Sequence, residues 1–187
     1  MIATKEDLQK YLHVENGLYH PPTGIKKIIY SFRDDNNYLR WKLVKQLRVQ
    51  EYCFNNRNRN ILFRLKFEIE TRKLNKLELK LGIEINGASF QEGLMIYHTN
   101  GIVVNGDARI GKNCKLHGSN VIGNMGTDLG VPTIGNNVRL GAGAKVLGNV
   151  RIADNVKIGA GAVVLHDCLE EGALLIGIPA EIHRSNK

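Results

Sequence analysis

Residues 134–164 read IGNNVRLGAGAKVLGNVRIADNVKIGAGAVV, and each block of six opens on an aliphatic residue: Ile134, Leu140, Val146, Ile152, Ile158 and Val164. The same beat runs back through Ile122, Leu116 and Ile110 to Val104, and forward to Ile176. The fourth residue after the aliphatic is usually small, as at Ala108, Cys114, Gly126, Ala144, Ala162 and Ala180, and a Gly often follows the aliphatic directly. A period of six suits a three-sided coil in which each unit makes one short strand and one corner. Three units then complete a turn of 18 residues, with the aliphatics stacked inward and the small residues where the corner narrows.

That pattern predicts a mainly β fold, a left-handed parallel β-helix of hexapeptide repeats preceded by an α-helical segment. Residues 1–82 form the basic, mostly helical segment and 83–187 the coil. Each turn contacts chiefly its neighbours, so both ends need covering against edge-to-edge pairing.

Of the 187 residues, the first 82 carry 17 Lys or Arg against 9 Asp or Glu, whereas residues 83–187 carry 9 of each. The whole formal charge of +8 therefore lies in the N-terminal segment. No apolar run approaches the roughly 20 residues that span a bilayer, and Met1 to Lys10 lacks the apolar core of a secretion signal, so a cytoplasmic protein is expected. Cys114 and Cys168 fall on the small position of their hexads, which suits reduced packing residues. The six histidines offer no ligand spacing, so no metal is expected.

In the basic segment, Leu39, Leu43 and Leu47 recur every four residues with Arg40, Lys42, Lys45 and Arg48 between them, predicting a helix over 37–50. Residues 60–81 alternate like a strand at Phe63, Leu65, Phe67 and Ile69, but length and the absence of Gly or Pro favour a helix. Asn55 to Asn60 is a polar break, and Pro21-Pro22-Thr23-Gly24 a turn. The helix from Tyr38 to Tyr52 could meet an anionic membrane surface or a polyanionic glycan. A solvated basic face with Tyr38 and Trp41 packed inside is the simpler expectation. Nucleic acid is not expected as a partner, because no recognised binding motif accompanies the charge.

Fold alone does not give function, since hexapeptide coils also serve as structural modules and metalloenzyme scaffolds. The informative runs are Gly82-Ile83-Glu84-Ile85-Asn86-Gly87-Ala88, then Gly93 through Tyr97-His98-Thr99-Asn100-Gly101 to Val104, Leu140-Gly141-Ala142-Gly143-Ala144, and Ile176-Gly177-Ile178-Pro179-Ala180. Over 82–187 the chain resembles the serine acetyltransferase family of hexapeptide acyltransferases. The resemblance implies acetyl-CoA as acyl donor, His98 as general base, Glu84 as the carboxylate that orients it, and a homotrimer with sites between subunits. An alcohol is too weakly acidic to attack a thioester at neutral pH, so an imidazole must take its proton, a benefit of roughly 10²–10⁴-fold. A carboxylate would fix the imidazole tautomer. No nucleophilic Ser or Cys is indicated, so transfer is expected to be direct.

With a uniform 18-residue turn, Gly123, Gly141, Gly159 and Gly177 form one row, beside Asn124, Ala142 and Ala160. Trimmed side chains along one edge would admit an extended pantetheine arm. The resemblance places the coenzyme there, with Lys157 in contact with it and its 3′-phosphate toward Arg184 and Lys187. His117 follows His98 by one coil plus one residue and is expected near the same corner.

The chain departs from serine-using members at Tyr97, where they have Asp, and at Gly130-Val131, where an Arg-His pair precedes the Pro; the loop Thr127 to Val131 is about two residues shorter. Those changes remove the charged partners of a free amino acid. A neutral sugar or polysaccharide precursor, held by Tyr97, Asn100, Asn124 and His117, is therefore the expected acceptor. The chain also looks like acetyltransferases of capsule and exopolysaccharide clusters. Serine O-acetylation is the alternative, and a non-catalytic binding or scaffold module the alternative of another class.

Overall fold

The computed structural model describes residues 1–85, 87–126 and 130–184, in two units, Met1–Leu81 and Gly82–Lys187. The first unit is helical. α1 (Lys5–Tyr19) starts at a reciprocal cap, Thr4 accepting from the Asp7 N–H and Asp7 from the Thr4 N–H. The Pro21-Pro22 turn separates it from α2 (Gly24–Phe32). α3 (Asn36–Asn56) is capped by Asp35, and α4 (Ile61–Leu81) by Asn60, which accepts from the Phe63 N–H at 3.0 Å.

Two expectations change here. The helix expected over 37–50 continues to Asn56, so the polar run begins inside it; Asn56 Nδ2 donates to the carbonyls of Tyr52 and Ala3, which keeps that side chain from ending the helix early. The basic face is not wholly solvated either. Tyr38 is buried and stacks on Trp41, whose Nε1 donates to Asn16, but Arg48 is also fully buried. Its Nε and Nη2 donate to Glu15 Oε1 at 2.9 and 2.6 Å, with Glu51 3.9 Å away. A guanidinium can enter a core only with such partners.

The second unit is the left-handed parallel β-helix, with three sheet faces. One face stacks β1 (Ile83–Ile85), β3 (Ile102–Val104), β6 (Val121–Gly123), β9 (Lys145–Leu147) and β12 (Val163–Val164). The second has β4 (Arg109–Ile110), β7 (Thr133–Ile134) and β10 (Arg151–Ile152). The third has β2 (Met95–Ile96), β5 (Lys115–Leu116), β8 (Arg139–Leu140), β11 (Lys157–Ile158) and β13 (Leu174–Ile176), covered by the antiparallel β14 (Glu181–Ile182). The aliphatics from Val104 to Val164 are buried, as are Ala108, Cys114, Ala144 and Ala162. All three cysteines are free and buried, and desolvation pushes the Cys114 thiol up to about 12.

The turn is not uniformly 18 residues. Arg139 pairs with Lys157 and Thr133 with Arg151 at that spacing, but Val121 pairs with Lys145, Lys115 with Arg139 and Arg109 with Thr133, each 24 apart. One coil thus holds an additional hexad. The coil below is long, Met95 pairing with Lys115, and the last is short, Ile152 bridging to Cys168 and Ile158 pairing with Leu175. Cys168 consequently occupies the aliphatic row rather than the small one, and Leu175, not Ile176, points inward; Ile176 is 42% exposed.

At one corner Asn113, Asn137 and Asn155 lie above one another with φ of 57, 58 and 61°. Each Nδ2 donates to the next Oδ1, at 3.0 and 3.1 Å, and the last donates to Glu171 at 2.6 Å. Asn tolerates the left-handed region better than most side chains, and here it also ties coil to coil.

Candidate active site

His98 lies just past β2, at the corner leading to β3, and is exposed. Gly118 sits over it with φ +103°, and a Cβ there would come 3.1 Å from His98 Cβ, so glycine keeps the imidazole's place open. The buried Asn120 holds that corner. Its Oδ1 accepts from the Gly118 N–H at 3.0 Å, and its Nδ2 donates to the carbonyls of Gly141 and Ala144 at 2.7 and 3.3 Å. Sequence reading missed Asn120; an Asn inside an otherwise apolar coil position was the available signal.

His117 does not sit over His98. The long coil pairs Ile96 with Leu116, so His117 stacks on Tyr97, with ring centroids 4.4 Å apart and planes 19° from parallel. Its Nε2 is buried and meets no hydrogen-bond partner among the described residues. Burial first, then Arg139, His98 and Lys115, lower its proton affinity, which favours a neutral ring. Asn100 is at the same corner, its carbonyl accepting from the Ser119 N–H at 3.1 Å.

Glu84 is exposed on β1, opposite Val103. Among the described residues no hydrogen bond or ion pair joins it to His98, so the expected pairing is not formed within one chain. The glycine row is also corrected. The additional hexad moves Gly123 to another face, where it pairs with Leu147, and takes Asn124 with it. At the upper end the short coil puts Ile176, not Gly177, over Gly159. What survives is a strip of two coils, Gly141-Ala142-Gly143 and Gly159-Ala160-Gly161, beside the exposed Lys157.

The strip fits a pantetheine arm. Its coils approach closely, since a Cβ on Gly141 would lie 2.6 Å from the Ala160 nitrogen. The N–H groups of Gly143 and Gly161 donate to Gly118 and Ala142, but those of the exposed Ala142 and Ala160 meet no protein acceptor among the described residues. These two amide donors, one strand spacing or about 4.8 Å apart, are open to the amide carbonyls of such an arm. Bound there, acetyl-CoA would supply an activated acyl thioester. Arg184 instead pairs with Glu170 at 3.3 Å, beside a depression of about 550 Å³ that Glu171 also lines, poor surroundings for a phosphate. Lys187 and Thr127 to Leu129 of the shorter loop lie outside the described residues. Among the described residues no group of three or more His, Cys, Asp or Glu could hold a metal, and no helix is long and apolar enough to cross a membrane.

Sequence reading also missed a row of cations. Lys115, Arg139 and Lys157 are register partners on the outward side of the third face, two positions before His117, Gly141 and Gly159. A count by 18 aligns Arg139 with Lys157, but the additional hexad hides Lys115 from it.

Residues 132–166 match the family described as "Bacterial transferase hexapeptide (six repeats)". The serine acetyltransferase of Synechococcus elongatus is 39% identical over 125 residues, covering 65% of this chain and 51% of its own length. This chain spans about half the length of the curated relatives it matches. Soybean serine acetyltransferase complexed with serine superposes with a TM-score of 0.72 at 25% identity, over 96% of this chain and 70% of the other. A serine acetyltransferase in complex with CoA gives 0.64 at 26%, over 78% and 57%.

Proposed function

We propose that the protein is an acyl-CoA-dependent O-acyltransferase that carries an acetyl group from acetyl-CoA to a hydroxyl, with His98 as general base. The observation that carries this reading is the juxtaposition of His98 with the Gly-Ala strip whose Ala142 and Ala160 N–H groups meet no protein acceptor among the described residues. His98 would take the hydroxyl proton as the oxygen attacks the thioester carbonyl, then return it to the departing CoA thiolate. Gly118 and Asn120 shape the corner that holds His98. Glu84 is the carboxylate proposed to act with it, and a second subunit of a homotrimer would complete the site.

For the acceptor, the serine acetyltransferase relatives favour L-serine over the sugar expected from sequence. A sugar remains the second reading, favoured by one observation: the Tyr97–His117 stack offers a ring face of the kind that covers a sugar. His98→Asn is expected to keep the fold and lower turnover by roughly 10²–10⁴-fold. CoA release from acetyl-CoA with L-serine and with neutral sugars checks both points. Turnover by His98→Asn equal to the parent's would end the assignment.

A further inference from the structure

The cations on the third face are placed where a β-ladder ordinarily avoids them. Lys115, Arg139 and Lys157 are direct register neighbours, about 4.8 Å apart along the stack, where like charges repel. No carboxylate relieves them: the other outward partners in that row are Met95 and Leu174, and none of the three cations forms an ion pair among the described residues. The face also carries the Tyr97–His117 stack, two residues along from Met95 and Lys115. Residues two apart on a strand share a side, so Lys115 and Arg139 stand beside the ring pair and the corner that holds His98.

We infer that Lys115 and Arg139 bind an anionic group of the acceptor, so that the substrate is a hydroxyl compound bearing a carboxylate or a phosphate rather than a neutral polyol. This deepens the acyltransferase reading and rests on it. Arg139 takes two acceptor oxygens in a fork and Lys115 supplies a second charge. The buried Nε2 of His117 beside them meets no hydrogen-bond partner among the described residues. The charged anchors that the Gly130-Val131 sequence lacks are thereby replaced from another strand.

The test uses acceptors matched except for charge: L-serine against L-serinamide, D-galacturonate against D-galactose, and a sugar 1-phosphate against its free sugar. In the parent protein the anionic member of at least one pair is expected to be used with the lower KM. Arg139→Gln and Lys115→Gln are expected to raise that KM about 10- to 100-fold, with the KM for acetyl-CoA unmoved. Arg151→Gln, on the second face, is the control and leaves both constants as they are. The carboxylate and phosphate arms identify the source of the anion. Preference for neutral acceptors overturns the inference, as does a rise in the acetyl-CoA KM, which would assign the cations to the coenzyme. If no pair supports turnover, NMR titration with D-galacturonate and with inorganic phosphate decides: shifts at His117 and Arg139 uphold the site and their absence rejects it. Failure of acetyl-CoA itself to bind would defeat the acyltransferase reading instead.

Discussion

Glu51 accepts the Ile2 N–H at 2.9 Å from within the helical unit. Burial pushes its carboxyl above the ordinary range, against the opposing pull of that hydrogen bond, of Arg48 and of the chain's amino terminus. Its Oε2 is buried with no hydrogen bond among the described residues. A carboxyl with a raised folded pKa supports the fold fully below its unfolded value, about 4.3, and loses that support as pH rises through the folded value. Glu51→Gln keeps an acceptor for Ile2 and removes the charge. It is expected to raise the urea midpoint at pH 7, with the gain vanishing as pH falls below about 4. Equal midpoints at pH 7 would mean that Arg48 compensates the charge in full. Arg48 itself is satisfied through Glu15, a partnership that joins α1 to α3.

The elements of the coil are only two or three residues long, so their stability comes from what joins one coil to the next. At Asn137 that joining is local and measurable. Asn137→Ala loses two side-chain hydrogen bonds and places alanine at a φ of 58°, an expected cost of about 2 kcal/mol in urea unfolding. Asn137→Gly loses the bonds without the backbone strain and is expected to cost less; the reverse order would mean that the corner does not hold its left-handed turn. The hexapeptide beat made the coil and its inward rows legible, because burial of one aliphatic per unit is a property of each unit alone. The place of His98 at a corner of the coil was legible from its surrounding motif. Which residues lie above one another was not, since register depends on the sum of all intervening residues. A single additional hexad broke the row at Gly123 and concealed the pairing of Lys115 with Arg139, and the 20-residue coil below it set His117 on Tyr97. The helix over α4 was legible from length, but the buried Arg48 was not, because its partner Glu15 is 33 residues away.

For the whole molecule, the decisive feature is how open the candidate site is: His98 and Ala160 are both exposed in one chain, and among the described residues Glu84 has no bond to His98. Excluding water from a thioester calls for a second wall. Light scattering on the eluting protein is expected to give three times 20.9 kDa. A monomer at working concentration would require the chemistry to proceed at a solvent-open corner. The asparagine stack has a direction of its own. Every amide in it donates the same way, from Asn113 to Asn137 to Asn155, and the series ends on the Glu171 carboxylate. Aligned amides polarise one another. The column is therefore a small side-chain dipole, built outside the backbone, whose positive end is met by an anion as a helix N-terminus is by an acidic cap.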